Sequence, residues 1–498
     1  MDYIHQVKPW KHQDIAFRLS RDLDEYALYM EQRTGKSKVL IDTAAWQYSK
    51  GKIDGLLLVA PNGVDEDWAN IYFPEHWPHW AGTPIIAQWN GKLLKKDEAA
   101  LYEPAKATAF HVLCMNIEAF SSSHKARAEA FKFVRMYRCM MAIDEASMIK
   151  DPSSIRTKHI TKIGKLATSR RILTGTPATQ SPLDVFAQFK FLNPHLLGFQ
   201  SYYAFKARYA DLLPEGHGLV RHIQGARRFA PQIIAQDAAG RKQYKNLEEL
   251  QKLMDPHCFR ITRPECGDMP PKVYATRSVP LTDEQQYYYD RVLEEIVIEM
   301  GHGALTVQNQ LTRLLRLQQI TGGFMPSDEK GSVPLANDRI DVMLQEIEGM
   351  QGKVIIWARF RAELEAIAIA LRTAHGERSV VEYHGGVVGQ ARTDARASFQ
   401  LADGVRFFVA QQASGGYGLK LTAADHVIYY SNDFSLEHRL QSEDRPIALD
   451  KPHGVSYLDL QAPGTVDEKI VAALRGKKEI ADALLDSGGL TAWIGRKK

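Results

Sequence analysis

The sequence predicts an α/β protein with two parallel β-sheets, each flanked by helices. Two series of short apolar segments, each ending in small or polar residues, predict buried parallel strands. The first series is 55–61, 110–116, 139–146 and 170–177, and the second is 353–360, 379–386, 406–412, 426–432 and 455–461. A polar, helix-rich region from about 195 to 350 separates the two series. We therefore expect two α/β halves with helical insertions between them.

The composition is that of an ordinary globular protein in a reducing compartment. The net charge of +4 is too small, by itself, to indicate a nucleic-acid partner. The cysteines are scattered without a C-x-x-C pair, which argues against a disulfide framework and a zinc site. The N-terminal residues contain no secretory signal, and no apolar run reaches the length of about 18 residues that a membrane span needs. We expect a cytoplasmic protein with no membrane partner.

Residues 31–37, EQRTGKS, are similar to the second half of a phosphate-binding loop. Gly35, Lys36 and Ser37 match the end of the pattern G-x-x-x-x-G-K-[ST], but Met30 stands where the first glycine belongs. In such a loop, N–H groups at a helix N-terminus face the phosphate oxygens, the lysine adds a positive charge and the serine hydroxyl binds Mg²⁺. Taken alone, these three residues are more often an ordinary solvated loop than a phosphate site.

Two further motifs directly follow predicted strands of the first series. Asp144 and Glu145 are suited to hold Mg²⁺ and to polarise an attacking water, although a helix-capping pair is an equal alternative. Thr174 and Thr176, in LTGTP, are placed to hydrogen-bond the acid pair and to sense a γ-phosphate, with a plain turn as the alternative. The order of the three motifs favours a nucleotide site.

The whole set of motifs resembles helicase superfamily two, and within it the DEAD/DEAH-like DNA translocases of the Swi/Snf type. The motifs are Gln13, EQRTGKS, LLLVAP, DEAS, LTGTP, VVEYHGG, ASGGYGLKLTAADHVIYYSN and QSEDR. Members of that family also lack the first loop glycine, so Met30 does not oppose nucleotide binding. The resemblance covers almost the whole chain and implies two RecA-like lobes that bind ATP and Mg²⁺ in the cleft between them.

The resemblance also implies a domain organisation. Residues 1–275 would form the N-terminal ATP-binding lobe, with a helical insertion near 195–255. Residues 276–462 would form the C-terminal lobe, with a helical insertion near 281–345, and residues 463–498 a bracing helix and tail.

Site residues follow from the resemblance position by position. Gln13 would read adenine, and the nucleotide-binding set would be Gln13, Arg33, Thr34, Gly35, Lys36, Ser37, Gly416 and Gly418. Arg33 replaces a glycine of the family, and it either contacts phosphate or points to solvent. Ser37 and Asp144 would bind Mg²⁺, and the catalytic set would be Lys36, Asp144, Glu145, Gln441 and Arg445. Residues near segments that contact a nucleic-acid strand in the family are Asn62, Asn116, Arg359 and His384.

One departure from the family pattern concerns the last motif, which reads QSEDRPIALDK here. Ala448 occupies the position of the family's second arginine, and an arginine finger typically contributes about 10³–10⁵ in rate. Arg445 would then carry that role alone, with Arg439 as a substitute. Ser147 in place of the usual histidine of DEAH is a milder change, because serine still hydrogen-bonds between motifs.

These features predict a monomeric ATP hydrolase that translocates along or remodels DNA, acting in a bacterial or phage-infected cytosol. We expect duplex DNA as the partner in preference to single-stranded DNA, and DNA in preference to RNA. An ATP-binding switch with little turnover is the first alternative, because of Ala448. An RNA helicase is the second.

Overall fold

The computed structural model describes most of the chain. The described residues are 3–103, 108–179, 181–215, 217, 220, 232–237, 242–266, 272–301, 307–327, 331–387, 390–415, 419, 421–447, 451 and 453–485. The chain divides into two compact units, residues 1–267 with 478–498, and residues 268–477. Among the described residues, no helix is both long enough and apolar enough to cross a lipid bilayer.

The first unit contains, within its described residues, a parallel sheet of seven strands. The strands are β1 (Glu25–Met30), β2 (Gly55–Ala60), β3 (Ile85–Trp89), β4 (His111–Asn116), β5 (Cys139–Asp144), β6 (Ser169–Leu173) and β7 (Cys258–Ile261). Their order across the sheet is β3-β4-β2-β5-β6-β1-β7. Because neighbouring strands are parallel, the loops that follow them all emerge at one edge of the sheet.

Helices flank this sheet, and its strand β2 is buried along its whole length. The α-helices are Lys11–Ser20, Lys36–Ser49, Val64–Asp67, Phe73–His76, Lys95–Tyr102, Ala119–Ser122, His124–Met136, Ile155–Gly164, Val185–Leu192, Tyr202–Tyr209 and Leu247–Met254, and a π-helix spans Trp68–Tyr72. Local caps fix several starts: the Ser123 hydroxyl accepts from the Ala126 N–H, and the Ser154 hydroxyl from the Thr157 N–H. Burial of β2 on both faces explains why its sequence is a continuous apolar run.

The second unit contains a parallel sheet of six strands and a separate antiparallel hairpin, counting described residues only. The strands are β8 (Lys272–Ser278), β9 (Phe324–Ser327), β10 (Gly331–Pro334), β11 (Lys353–Ala358), β12 (Val380–Tyr383), β13 (Phe407–Gln411), β14 (Ala424–Tyr429) and β15 (Val455–Gln461). The order in the sheet is β12-β13-β11-β14-β15-β8, and β9 pairs with β10. The α-helices are Asp283–Gly301, Val307–Thr321, Arg339–Glu348, Arg361–His375, Gln390–Leu401, Gln412–Gly415, Leu436–Glu443 and Val466–Leu485.

The predicted α/β class and all nine predicted strands are present, but several strands are shorter than predicted. The segment 139–146 ends as a strand at Asp144, because Glu145 takes a left-handed backbone conformation with φ 56°. The strands β1, β3, β7, β8, β9 and β10 were not predicted. In β8 the signal was absent for a physical reason: this edge strand is mostly exposed, and its sequence KVYATRS lacks an apolar run.

Candidate functional site

Three predicted motifs meet at one edge of the first sheet, because their strands are neighbours. Asp144 in β5 lies beside Leu173 in β6, and Leu173 lies beside Leu28 in β1. The acid pair, the LTGTP segment and the EQRTGKS loop follow these three strands. Gly175 approaches the loop so closely that a Cβ there would lie 3.1 Å from the Gln32 nitrogen. The three motifs therefore lie close together at one edge of the sheet.

The EQRTGKS loop turns sharply into the helix Lys36–Ser49. Gly35 has φ 85° at the start of that helix, and Arg33 has φ 70°. No side chain caps this helix N-terminus in the described structure. The Lys36 ammonium donates to the backbone oxygens of Met30, at 2.9 Å, and Glu31, at 3.3 Å. The loop thus presents a helix N-terminus beside a lysine, the arrangement that suits an anion.

Gln13 braces the loop from the helix Lys11–Ser20. Its Nε2 donates to the Thr34 oxygen at 3.2 Å, and its Oε1 accepts from the Trp10 N–H at 2.9 Å. A Cβ added at Gly35 would lie 2.0 Å from Gln13 Nε2, so a larger residue there would displace the Gln13 amide as well as strain the backbone at φ 85°. His12 Nε2 lies 2.8 Å from the same Thr34 oxygen. The adenine-reading role of Gln13 stays a prediction, since both ends of its amide contact protein here.

Arg263 holds the other side of the loop, and the sequence did not indicate this role. Its backbone N–H donates to Glu31 Oε2 at 2.7 Å, and its Nε donates to the Gln32 oxygen at 2.9 Å. Arg263 is buried and follows β7, an edge strand that pairs with β1. Only the pairing of those strands brings Arg263 to the loop, so no local pattern was available to reveal it.

Asp144 is half-buried and both of its carboxyl oxygens are hydrogen-bonded. Oδ1 accepts from the Glu145 N–H at 3.0 Å, and Oδ2 accepts from the indole N–H of Trp68 at 2.8 Å. Loss of hydration inside the protein raises the pKa of the Asp144 carboxyl. The positive charge of the nearby Lys36 ammonium is the strongest influence in the opposite direction. A cation at this carboxylate would offset the same cost of burial.

Glu145 is buried and joins the acid pair to the LTGTP segment. Its Oε1 accepts from the Thr174 hydroxyl at 2.8 Å and from the Ser147 hydroxyl at 3.4 Å. The Thr174 hydroxyl oxygen in turn accepts from the Thr176 N–H at 3.1 Å. The buried Thr176 hydroxyl has no hydrogen-bond partner among the described residues. Thr174 therefore contacts the acid pair as predicted, whereas Thr176 contacts it only through Thr174.

In the second unit, Gln441 and Arg445 lie on and just after the helix Leu436–Glu443, and both are buried. Neither amide atom of Gln441 has a hydrogen-bond partner among the described residues. Arg445 Nη1 donates to the Leu419 oxygen at 3.1 Å, which links this helix to the segment that follows ASGGYG. Gly416, Gly418 and Ala448 lie outside the described residues. The catalytic roles of Gln441 and Arg445 stay predictions.

Arg439 is engaged in ion pairs and hydrogen bonds inside the second unit, and its role as a substitute arginine finger stays a prediction. Its Nη1 and Nη2 donate to the two oxygens of Asp459 at 2.6 and 2.9 Å, and its Nε donates to Glu443 at 2.8 Å. Nη1 also donates to Asn432 Oδ1, and the guanidinium stacks 3.5 Å from the centre of the Tyr429 ring. Arg439 belongs to a buried ion network within the second unit.

Two family models cover most of the chain. The model described as SNF2-related domain matches residues 14–322, more than half of the chain. The chain belongs to the SNF2-related family. The model described as Helicase conserved C-terminal domain matches residues 338–447, which include the QSEDR motif.

Several curated proteins are similar to this SNF2-related chain. A SWI/SNF-related matrix-associated actin-dependent regulator of chromatin subfamily A-like protein 1 homolog from Caenorhabditis elegans is 25% identical over 96% of the chain and 61% of its own length. An uncharacterized ATP-dependent helicase from Mycoplasma genitalium is 24% identical over 89% of the chain and 38% of its own length. The chain thus spans less than two thirds of either relative. A solved Sulfolobus solfataricus SWI2/SNF2 ATPase core in complex with dsDNA has a TM-score of 0.40 and 21% identity, and covers 100% of this chain and 97% of its own.

Two of the residues of this SNF2-related chain that are predicted to contact nucleic acid lie together in the first unit. Asn116 ends β4 beside Ala60 of β2, and Asn62 follows two positions later. The Asn62 N–H donates to Glu118 Oε2 at 3.2 Å, and Asn116 Oδ1 accepts from the Ala119 N–H at 2.9 Å. They share the edge of the sheet that carries Asp144, because β5 pairs with β2.

The other two predicted contacts, Arg359 and His384, follow β11 and β12 of the second sheet. Arg359 donates to Gln318 Oε1 at 2.8 Å and stacks 4.8 Å from the centre of the Phe434 ring. His384 is buried, and its Nδ1 accepts from the Gly386 N–H at 3.0 Å. Contact of all four residues with nucleic acid stays a prediction.

Proposed function

We propose that the chain is a DNA-dependent ATPase that translocates along or remodels DNA. The observation that supports it best is the hydrogen bond from Thr174 to Glu145, at the sheet edge that also carries the EQRTGKS loop. A lysine loop for the phosphates and an acid pair for Mg²⁺ and the attacking water are parts that phosphoryl transfer uses, and the Thr174 hydroxyl holds the second acid of that pair. Membership of the SNF2-related family supports the same activity.

The residues of the site fit ATP with Mg²⁺. Gly35 opens an uncapped helix N-terminus for phosphate oxygens, and any larger residue there would meet Gln13. Mg²⁺ bound with a nucleotide usually takes one or two carboxylates together with a hydroxyl, phosphate oxygens and water. Asp144 and Ser37 would hold it, and it would supply charge neutralisation at the phosphates. Glu145, oriented by Thr174, would accept a proton from the attacking water.

Duplex DNA is the polymer that we propose as activator. The names of similar proteins, such as the DNA annealing helicase and endonuclease of Homo sapiens, refer to DNA. Asn62 and Asn116 would contact one strand at the sheet edge that carries the acid pair. Contact at that edge would reach the ATP site directly, because β2 and β5 are neighbouring strands.

Steady-state ATP hydrolysis tests the proposal. It would be measured without polymer and with duplex DNA, single-stranded DNA and RNA. We expect duplex DNA to stimulate most. Lys36→Ala should abolish hydrolysis without unfolding the chain, whereas Lys50→Ala, an exposed lysine just after the same helix, should leave it unchanged.

Two results of these hydrolysis measurements would contradict the proposal. Full hydrolysis by Lys36→Ala would reject the assigned site. Stronger stimulation by RNA than by DNA would identify an RNA helicase.

A second candidate function is an ATP-binding switch with little turnover. The observation that favours it is Ala448, at the position where the family has its second arginine. Nucleotide binding without hydrolysis on any polymer would support this function over the motor.

A further inference from the structure

Trp68 makes a contact with the acid pair that no motif of the sequence indicated. Its indole N–H donates to Asp144 Oδ2 at 2.8 Å, across a separation of 76 residues in sequence. The other oxygen, Oδ1, is held by the N–H of the adjacent Glu145. Trp68 therefore reaches Asp144 with a hydrogen bond from a different element of the fold.

The position of the indole is fixed by a local irregularity in its own helix. Residues 64–76 are helical, and Trp68–Tyr72 within them forms a π-helix in which the Phe73 N–H bonds to the Trp68 oxygen. Single π-turns of this kind are frequent at functional sites. Tyr72 and Phe73 contact the indole with ring centres 5.4 and 6.3 Å away.

The Trp68 indole and the Asp144 carboxylate form a directional hydrogen bond in addition to packing together. The indole of tryptophan only donates, and it needs an acceptor when it is buried, as Trp68 is. A carboxylate that accepts such a bond is held in one orientation, and hydrogen bonds to charged groups are stronger than neutral ones. With Oδ2 held by Trp68 and Oδ1 by Glu145, the remaining lone pairs of Asp144 have a defined direction.

We propose that Trp68 is a positioning residue that aims Asp144 at the Mg²⁺ that accompanies ATP. This inference rests on the proposed function. It predicts that Trp68 contributes to the affinity that Mg²⁺ adds to nucleotide binding, beyond its contribution to folding.

The test is equilibrium binding of a fluorescent ADP analogue, followed by anisotropy, with Mg²⁺ and with a chelator. Trp68→Phe removes the N–H and keeps an aromatic ring. The matched control is Trp77→Phe, since Trp77 lies at the end of the same helical stretch, is buried, and donates its indole N–H to the Gly82 oxygen at 2.8 Å. Urea unfolding of both variants measures the structural cost separately.

Adding Mg²⁺ should increase the nucleotide affinity of Trp68→Phe about tenfold less than it increases that of the wild type, which is the size expected for one hydrogen bond to a charged group. The affinity measured in chelator should be unchanged. Trp77→Phe should keep the full gain. In an Asp144→Asn background, Trp68→Phe should cause no further loss of the gain. A Mg²⁺ gain in Trp68→Phe equal to that of Trp77→Phe, or an equal loss with and without Mg²⁺, would overturn the inference.

The same measurements separate this inference from the proposed function. If Asp144→Asn loses the Mg²⁺ gain while Trp68→Phe keeps it, the metal site stands and the role of Trp68 is rejected. If the wild-type chain binds no nucleotide, or Asp144→Asn keeps the full gain, the proposed site itself is rejected and the inference with it.

Discussion

The Thr174 hydroxyl donates a 2.8 Å hydrogen bond to Oε1 of Glu145, and both residues are buried. This bond joins the loops that follow two neighbouring strands, β5 and β6. A shift of either loop changes the orientation of the carboxylate that we propose as the proton acceptor. We therefore expect changes in the LTGTP segment to alter the rate of hydrolysis.

Thr174→Val should slow ATP hydrolysis by about tenfold or more, since a hydrogen bond to a charged group contributes about 1.5–3 kcal/mol. Nucleotide affinity should stay near that of the wild type, because Thr174 contacts Glu145 and the Thr176 N–H. Turnover and binding would be measured separately. Thr43→Val is the control, because the buried Thr43 hydroxyl has no hydrogen-bond partner among the described residues. Equal rates in the two variants would contradict a role for the bond.

Gly35→Ala should weaken nucleotide binding and destabilise the first unit. Alanine at φ 85° costs about 1–2 kcal/mol, and its Cβ would lie 2.0 Å from Gln13 Nε2. Gly51→Ala, at φ 66° with no atom within 4 Å of its Cβ, separates backbone strain from the clash. Urea unfolding and nucleotide titration of both variants check the prediction. Gln13→Ala combined with Gly35→Ala should recover part of the stability, and no recovery would exclude the clash as the cause.

Arg439→Met should lower the free energy of unfolding by about 3–5 kcal/mol, because it leaves the buried Asp459 carboxylate without its partner. Arg361→Met removes an exposed pair with Glu365, at 3.1 Å, and should cost about 0–1 kcal/mol. Denaturant unfolding compares the two variants. An Arg439→Met chain with wild-type stability and no hydrolysis would support Arg439 as a finger residue.

The Glu363 carboxyl should make the second unit less stable as the pH rises from about 4.5 to about 7. Burial raises the pKa of Glu363 to about 7. Hydrogen bonds from the Phe360 N–H and the Ser431 hydroxyl, and the positive charge of Arg339, lower the pKa and so oppose part of that rise. Between these pH values the folded chain holds a proton that the unfolded chain has lost, so stability falls with pH and then levels off. The fall is on the order of 3 kcal/mol, at about 1.36 kcal/mol per pKa unit.

Glu363→Gln is the variant that checks this pH dependence, because an amide oxygen still accepts the same bonds. Urea unfolding at pH 5, 6, 7 and 8 should show the variant gaining stability relative to the wild type as the pH rises. Parallel curves for the two chains would show that Glu363 does not titrate in this window.

Ala448→Arg should raise ATP turnover, because an arginine finger typically contributes about 10³–10⁵ in rate and the family has an arginine at this position. Ala448→Lys is the control, since it restores charge without the planar guanidinium. Turnover would be compared at saturating ATP and DNA. Unchanged turnover in Ala448→Arg would mean that Arg445 or another residue already serves as the finger.

Much of the fold and of the first-unit site was predictable because their signals are local. A strand buried on both faces, such as β2, is a continuous apolar run, and the nine strands predicted from such runs are all present. The Gly-Lys-Ser loop and the acid pair each occupy consecutive positions after a strand, so both motifs can be recognised from adjacent residues. Edge strands such as β8 lack that signal, since one edge and much of their surface face solvent.

The three motifs and their order can be read directly from the sequence, because they depend only on which residue types follow which strands. Which side chains meet is a consequence of how the elements pack. Strand pairing brings Arg263 to Glu31 from 232 positions away, and helix packing brings Trp68 to Asp144. It also places Arg439 in an ion network with Asp459 instead of leaving its donors free. The physical reason is that partners of buried polar groups are chosen by packing in three dimensions, where separation along the chain carries no information.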